Sequence, residues 1–168
     1  MNNSVKIKNQ NGMIIIAIIL SGLVAGLLYA YACSVNPGLH KLSDKEYLSA
    51  MQSINVAIQN PIFFISFMGS LIVLPIAVFR LRVQQTEAFY FMLAAAILYV
   101  VGVFGVTMFA NVPLNNRLAN FNISSASAND LSAMRTIFEK PWNTFHLVRT
   151  IASISAFAFS VIALVKIK

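Results

Sequence analysis

The sequence predicts an all-α membrane protein, a four-transmembrane-helix bundle with short helical segments capping its outer face. Of 168 residues, 58% are hydrophobic and 10% are charged, whereas soluble domains carry charge on roughly a quarter of their residues. So few charges cannot clothe a water-facing surface, and the high hydrophobicity equally excludes a disordered chain. Four apolar stretches are free of acidic residues and reach the ~20 residues that a helix needs to cross a hydrocarbon core. They lie at about 13–35, 61–81, 88–109 and 145–167 of a single membrane domain, 1–168. Basic residues stand in pairs near their ends: Lys6 and Lys8, Arg80 and Arg82, Lys166 and Lys168.

The first stretch, Met13 to Val35, is longer than the ~7–15-residue apolar core of a cleaved signal and is expected to remain as a span. Gly22 and Gly26 form a G-x-x-x-G pair that lets a neighbouring helix approach. The single cysteine, Cys33, excludes an internal disulfide and a multi-cysteine metal site, and reads as a small packed residue. An outer helical segment follows at about 43–60. There Ser43 and Glu46 have capping-box spacing, and Tyr47, Met51, Ile54 and Ile58 recur as one apolar stripe. Span two opens on Asn60-Pro61, proline being harmless in a first turn. The short link after it makes spans two and three antiparallel neighbours, with Ser66, Gly69, Ser70, Gly102 and Gly105 as small contact residues. A second outer segment, at about 114–140, contains a short helix capped by Asn129 or Asp130 and running through Phe138, with Met134 and Ile137 on its apolar side. Lys140-Pro141-Trp142 then leads into span four.

The net charge of +7 is not clustered on one solvated face, so it does not indicate nucleic acid. It bears on orientation instead. Three basic pairs crowd one side of the bundle, whereas Lys41, Lys45, Arg117, Arg135 and Lys140 are spread over two long segments with four of the five acids. The positive-inside rule then places both termini in the cytoplasm and the protein in the cell membrane, inner or plasma. Span one ends in Val35-Asn36-Pro37-Gly38-Leu39 and span three in Asn111-Val112-Pro113-Leu114, each followed by a basic residue and Leu. That is the pattern of a duplicated helical hairpin. Convergent turn chemistry accounts for it equally well.

Polar residues in a lipid-crossing helix mark its buried side. In span four Trp142, His146, Arg149, Ser153, Ala156 and Ser160 follow steps of four and three, one face, with Phe145, Ile151, Phe157 and Leu164 elsewhere. Arg149 lies about 10 Å below Trp142. It either snorkels to headgroups and bonds helix-end carbonyls, or supplies a fixed charge for an anionic oxygen. His146, one turn away, is either a hydrogen-bonding structural residue or an acid–base group. His40 is the only other histidine, and nothing in the spacing supports a metal site. Asn55, Asn60, Asn111, Asn115 and Asn116 all fall near the outer ends of spans. They read as helix-end braces or as the walls of a polar pocket at the outer mouth. There is no Gly-rich phosphate loop, no nucleophile elbow and no intramembrane acid of the kind a proton-coupled transporter needs.

Asn111-Val112-Pro113-Leu114-Asn115-Asn116-Arg117-Leu118-Ala119, followed by Trp142 and then His146-Leu147-Val148-Arg149-Thr150, resembles the anthrone-oxygenase-like family of small membrane proteins. The Asn55 to Asn60-Pro61 stretch and the Pro37-Gly38-Leu39 turn are similar too, so the resemblance runs from about Gly22 to Ala163. It implies four spans and, from some members, oxidation of an aromatic or polyketide-like substrate without a cofactor. His146 and Arg149 would then be catalytic, with Trp142, Asn55, Asn60, Asn111, Asn115 and Asn116 around a hydrophobic aromatic small molecule. The alternative is a non-catalytic membrane module: a small subunit, scaffold or lipid-binding bundle. Membrane lipid is the one partner common to both readings, and the sequence assigns no oligomeric state.

Overall fold

The computed structural model describes residues 3–83 and 87–167, with side chains from Gly12 onward. Lys168 and the side chains of Lys6 and Lys8, used above for orientation, lie outside the described residues. Seven α-helices are described: α1 Asn3–Ala30, α2 Asn36–His40, α3 Asp44–Ala57, α4 Pro61–Leu81, α5 Glu87–Ile97, α6 Val112–Ala119 and α7 Ala128–Val165. A π-helical turn, Tyr31–Val35, fuses α1 to α2, and two more, Leu98–Gly105 and Thr107–Asn111, carry α5 into α6. Four rods result, Gly12–His40, Pro61–Leu81, Glu87–Ala119 and Ala128–Val165, each long and apolar enough to cross a membrane. The chain is an integral membrane four-helix bundle.

Packing follows the pattern of small and apolar residues. α1 packs against α4 and α7, and α5 against α4 and α7, which closes the ring. Inside it lie Ile14, Val24, Leu74, Met92, Tyr99 and Val103. Ile19, Ile65, Ile72, Phe79 and Ile151 point outward, as the lipid-facing side of a spanning helix must. Gly102 lets the third rod touch α7, since a Cβ there would lie 2.6 Å from that of Ala152. Gly22 accepts the Phe157 ring, whereas Gly26 meets nothing within 4 Å, so only the first glycine of the G-x-x-x-G pair makes a contact. Cys33 is exposed rather than packed, in a π turn that has no buried residue.

Over one end of the bundle, α3 and α6 form a cap against α7. Ser43 and Glu46 close the capping box of α3, the Glu46 carboxylate accepting from the Ser43 backbone N–H at 3.1 Å. Tyr47, Leu48, Met51, Leu118, Phe138 and Trp142 make a second apolar core beneath it. The cap differs from expectation at α7. Its N-cap is Ser127, boxed with Asp130, rather than Asn129 or Asp130. The helix then runs unbroken through Pro141 into the membrane. Proline removes one N–H and strains one turn, and here the flanking contacts to α3 and α6 hold the rod together. The two hairpins correspond closely: a five-residue π turn, a proline-bearing short helix, then a Ser-capped helix. They part at the second proline, which starts α4 at Pro61 but sits inside α7 at Pro141.

Candidate functional site

The polar face of α7 is buried as its spacing requires: Trp142, His146, Ser153, Ala156 and Ser160 are all inside. Trp142 and His146, one turn apart, stack nearly parallel, with centroids 5.1 Å apart and 9° between planes. Both are almost fully covered, at 4% and 1% exposure. Arg149 is half-buried. Its Nε and Nη2 approach His146 Nδ1 at 3.3 and 3.1 Å, and its Nη1 reaches Thr107 Oγ1 at 3.4 Å. Its guanidinium carbon also lies 5.1 Å over the Trp142 ring. Among the described residues no carboxylate pairs with it. Arginine is therefore held by a neutral imidazole, a hydroxyl and a π face.

Those contacts fix the histidine tautomer. A guanidinium only donates, so Nδ1 must accept, and the ring proton sits on Nε2. There it faces Thr150 Oγ1 at 3.4 Å, whose own proton goes to the His146 carbonyl at 2.7 Å. His146 is thus neutral, with its one lone pair aimed at Arg149. An imidazole in that state accepts a proton at Nδ1 only if the guanidinium turns to something else.

The asparagines divide. Asn115 Oδ1 accepts from the Trp142 indole at 2.8 Å, and Asn111 Nδ2 donates to the Trp142 carbonyl at 3.2 Å. Together they fix the indole that floors the cluster. Asn111 is wholly buried, and its Oδ1 has no hydrogen-bond partner. Asn60 caps α4 by accepting from Phe63 N–H at 3.0 Å, Asn116 is exposed, and Asn55 Nδ2 is buried without a partner at the far end of α3.

Sequence spacing does not reveal Tyr31 and Thr107, whereas Thr150 lies one turn after His146 on the same helix. Tyr31 lies edge-on to His146 at 5.2 Å and tilted against Trp142 at 5.5 Å. Thr107 and Thr150 supply the hydroxyls just described. Tyr31 and Thr107 each open a π turn, and such turns break the 3.6-residue count by which faces are read. The same π geometry is the only signal that marks them.

A second polar cluster lies on the cap. Arg135 donates to Glu139 at 2.6 Å, Asp44 at 3.0 Å, and the carbonyls of Leu42 and His40 at 2.7 and 2.8 Å. His40 Nδ1 pairs with Glu139 at 2.7 Å. An open groove of about 610 Å³ runs here, lined by His40, Asp44, Arg135, Glu139, Lys140 and Asn143 among others. Neither His146 nor Arg149 lines it. The two histidines thus serve different clusters, one of ion pairs and one of stacked rings.

A family model described as anthrone oxygenase matches residues 61–159, more than half of the chain. The chain belongs to the anthrone oxygenase family. The matched stretch covers α4 through most of α7, and so Asn111, Asn115, Trp142, His146 and Arg149. Asn55, Tyr31 and the Pro37 turn fall before it. Neither a curated protein nor a solved structure matches the chain.

Proposed function

We propose that this member of the family is a cofactor-independent oxygenase acting on a hydrophobic aromatic or polyketide-like molecule that reaches the site at the capped end of the bundle. The observation that carries the reading is Arg149, a cation in the spanning part of α7 that no carboxylate of the described protein neutralises. A permanently charged guanidinium in that setting is costly unless something anionic joins it. His146 Nδ1 and the guanidinium lie about 3 Å apart, close enough to serve a single oxygen. A substrate in its enol or phenol form would place its O–H between them. Nδ1 takes the proton as the guanidinium turns to the developing oxyanion. Imidazolium beside guanidinium is repulsive, so His146 holds the proton only while the anion is present. The delocalised anion then reacts at its ring carbon with oxygen. The peroxide takes back the proton and loses water, so that a CH2 group and O2 become C=O and H2O. Trp142 and its two asparagines would orient the ring.

The test is oxygen uptake by the purified protein in lipid nanodiscs with anthrone as probe, and quinone formation by absorbance. R149Q is expected to lower the rate at least about 100-fold, as loss of an oxyanion donor does, with the melting temperature retained. A rate that equals the buffer blank in the unaltered protein would sink the proposal. The burial of His146 and Trp142 favours a second reading, a non-catalytic module in which Arg149 braces the cap. There R149Q would lower the melting temperature and no uptake would be seen. The termini are proposed to be cytoplasmic, on the basic pairs. In a C33S background, a single cysteine placed at Ser125 should react with impermeant maleimide from outside intact cells; labelling only after lysis would reverse the orientation.

A further inference from the structure

Tyr31 lies outside the matched stretch, and the reaction above gives it no task. Its ring nonetheless touches both His146 and Trp142. Its hydroxyl donates to Met51 Sδ at 3.2 Å. A thioether is a weak acceptor, so that donor would gain by moving to an oxygen. Tyr31 is also half-buried, like Arg149, while the His146 and Trp142 rings between them are covered. Thr107 and Asn115 are half-buried too, so the phenol and the guanidinium are two of the four partly accessible polar side chains of the cluster.

The backbone supports the same assignment. Tyr31 opens the π turn of the first hairpin and Thr107 the corresponding turn of the second. Each turn is five residues long and runs into a short helix bearing a proline. Thr107 faces Arg149, and Tyr31 faces His146. π turns are uncommon, cost hydrogen-bond geometry, and recur at functional sites. Here one of them brings the Thr107 hydroxyl to Arg149 and the other brings the edge of the Tyr31 ring to His146.

We infer that Tyr31 is a ligand-contacting, specificity-determining residue, its hydroxyl leaving Met51 to donate to a second oxygen of the molecule whose first oxygen Arg149 holds. The inference rests on the proposed function for the position of the first oxygen. Met51 belongs to α3, so the exchange also releases one tie between the site and the cap.

Trp142 is the only tryptophan, so quenching of its fluorescence reports occupancy directly. The probes are anthrone, with one oxygen, and 1,8-dihydroxyanthrone, with additional ones. Y31F should weaken 1,8-dihydroxyanthrone about 10-fold, the loss of roughly one hydrogen bond, and leave anthrone within about 2-fold. M51L, which removes the competing acceptor at nearly constant volume, should tighten 1,8-dihydroxyanthrone by a few-fold and leave anthrone unchanged. Equal effects on the two probes in both variants overturn the assignment, as does Trp142 quenching by neither probe in the unaltered protein. The two proposals fail separately. A probe-selective Y31F effect without oxygen uptake removes the oxygenase and keeps Tyr31, whereas uptake lost in R149Q with no probe selectivity in Y31F removes Tyr31 alone.

Discussion

At Trp142 one residue is held at three points: its indole N–H by Asn115, its backbone carbonyl by Asn111, and its ring face by His146. A buried hydrogen bond of this kind contributes about 1 kcal/mol, and a group left without its partner costs somewhat more. W142F should therefore destabilise by about 1–2 kcal/mol in detergent unfolding. N115A should lower stability by a similar amount, and the double variant by less than the sum, because both remove the same bond. An additive cycle would mean that the indole bond is not formed. His146 is governed by the same accounting. Its Nδ1 is saturated by Arg149 in the resting protein, so its basicity is exposed only when the guanidinium is drawn elsewhere.

Each helix depends on a few local devices. The Glu46 carboxylate is held below the usual carboxylate range by the Ser43 hydroxyl first and the Ser43 backbone N–H second. A carboxylate depressed on folding lends stability above its unfolded value and loses it as pH falls through the folded one. Acidification below the ordinary carboxylate range should thus fray the start of α3, read as faster amide exchange at Tyr47 and Leu48. S43A, which keeps the backbone N–H, should weaken that dependence and cost about 1 kcal/mol. Between rods, Gly102 is the tightest point, with 2.6 Å available to a Cβ against Ala152. G102A must push the third rod off α7, at about 1–3 kcal/mol. A152G in the same chain should restore most of the melting temperature, and no rescue would mean that the contact is not the cause.

For the whole molecule, Arg135 ties α2, the turn after it and α3 to α7 through two carbonyls and the Asp44 carboxylate, while Glu139 braces it from its own helix. R135A should loosen the cap by about 1–2 kcal/mol, since it strands the largely covered Glu139 while Asp44, 38% exposed, is solvated. Protease cleavage near Leu42 should rise while the spans stay intact; uniform destabilisation of the spans would contradict this. The spans, the capping box and the inward face of α7 were legible in the sequence because each follows from hydrophobic periodicity or a fixed spacing. The continuity of α7 was not, since Pro141 reads as a start signal and only packing against the cap overrides it. Tyr31 and Thr107 were not legible for a different reason: π turns obey tertiary demands and leave no residue pattern. Asn60 looked like its fellow asparagines although its side chain is spent on a helix start, because one residue type serves both tasks.

α7 spans 38 residues, about 57 Å at the usual rise, against a hydrocarbon core of about 30 Å. Its upper part stands clear of the lipid and carries Arg135. Arg149 follows 14 residues later, about 21 Å down the same stiff rod and nearly on the same face. A tilt of about 5° between those points displaces one relative to the other by about 2 Å, enough to break a salt bridge. Spanning helices tilt to match the thickness of the bilayer around them. A change of bilayer thickness that re-tilts α7 would therefore be carried to the ion pairs of the cap by a single uninterrupted helix.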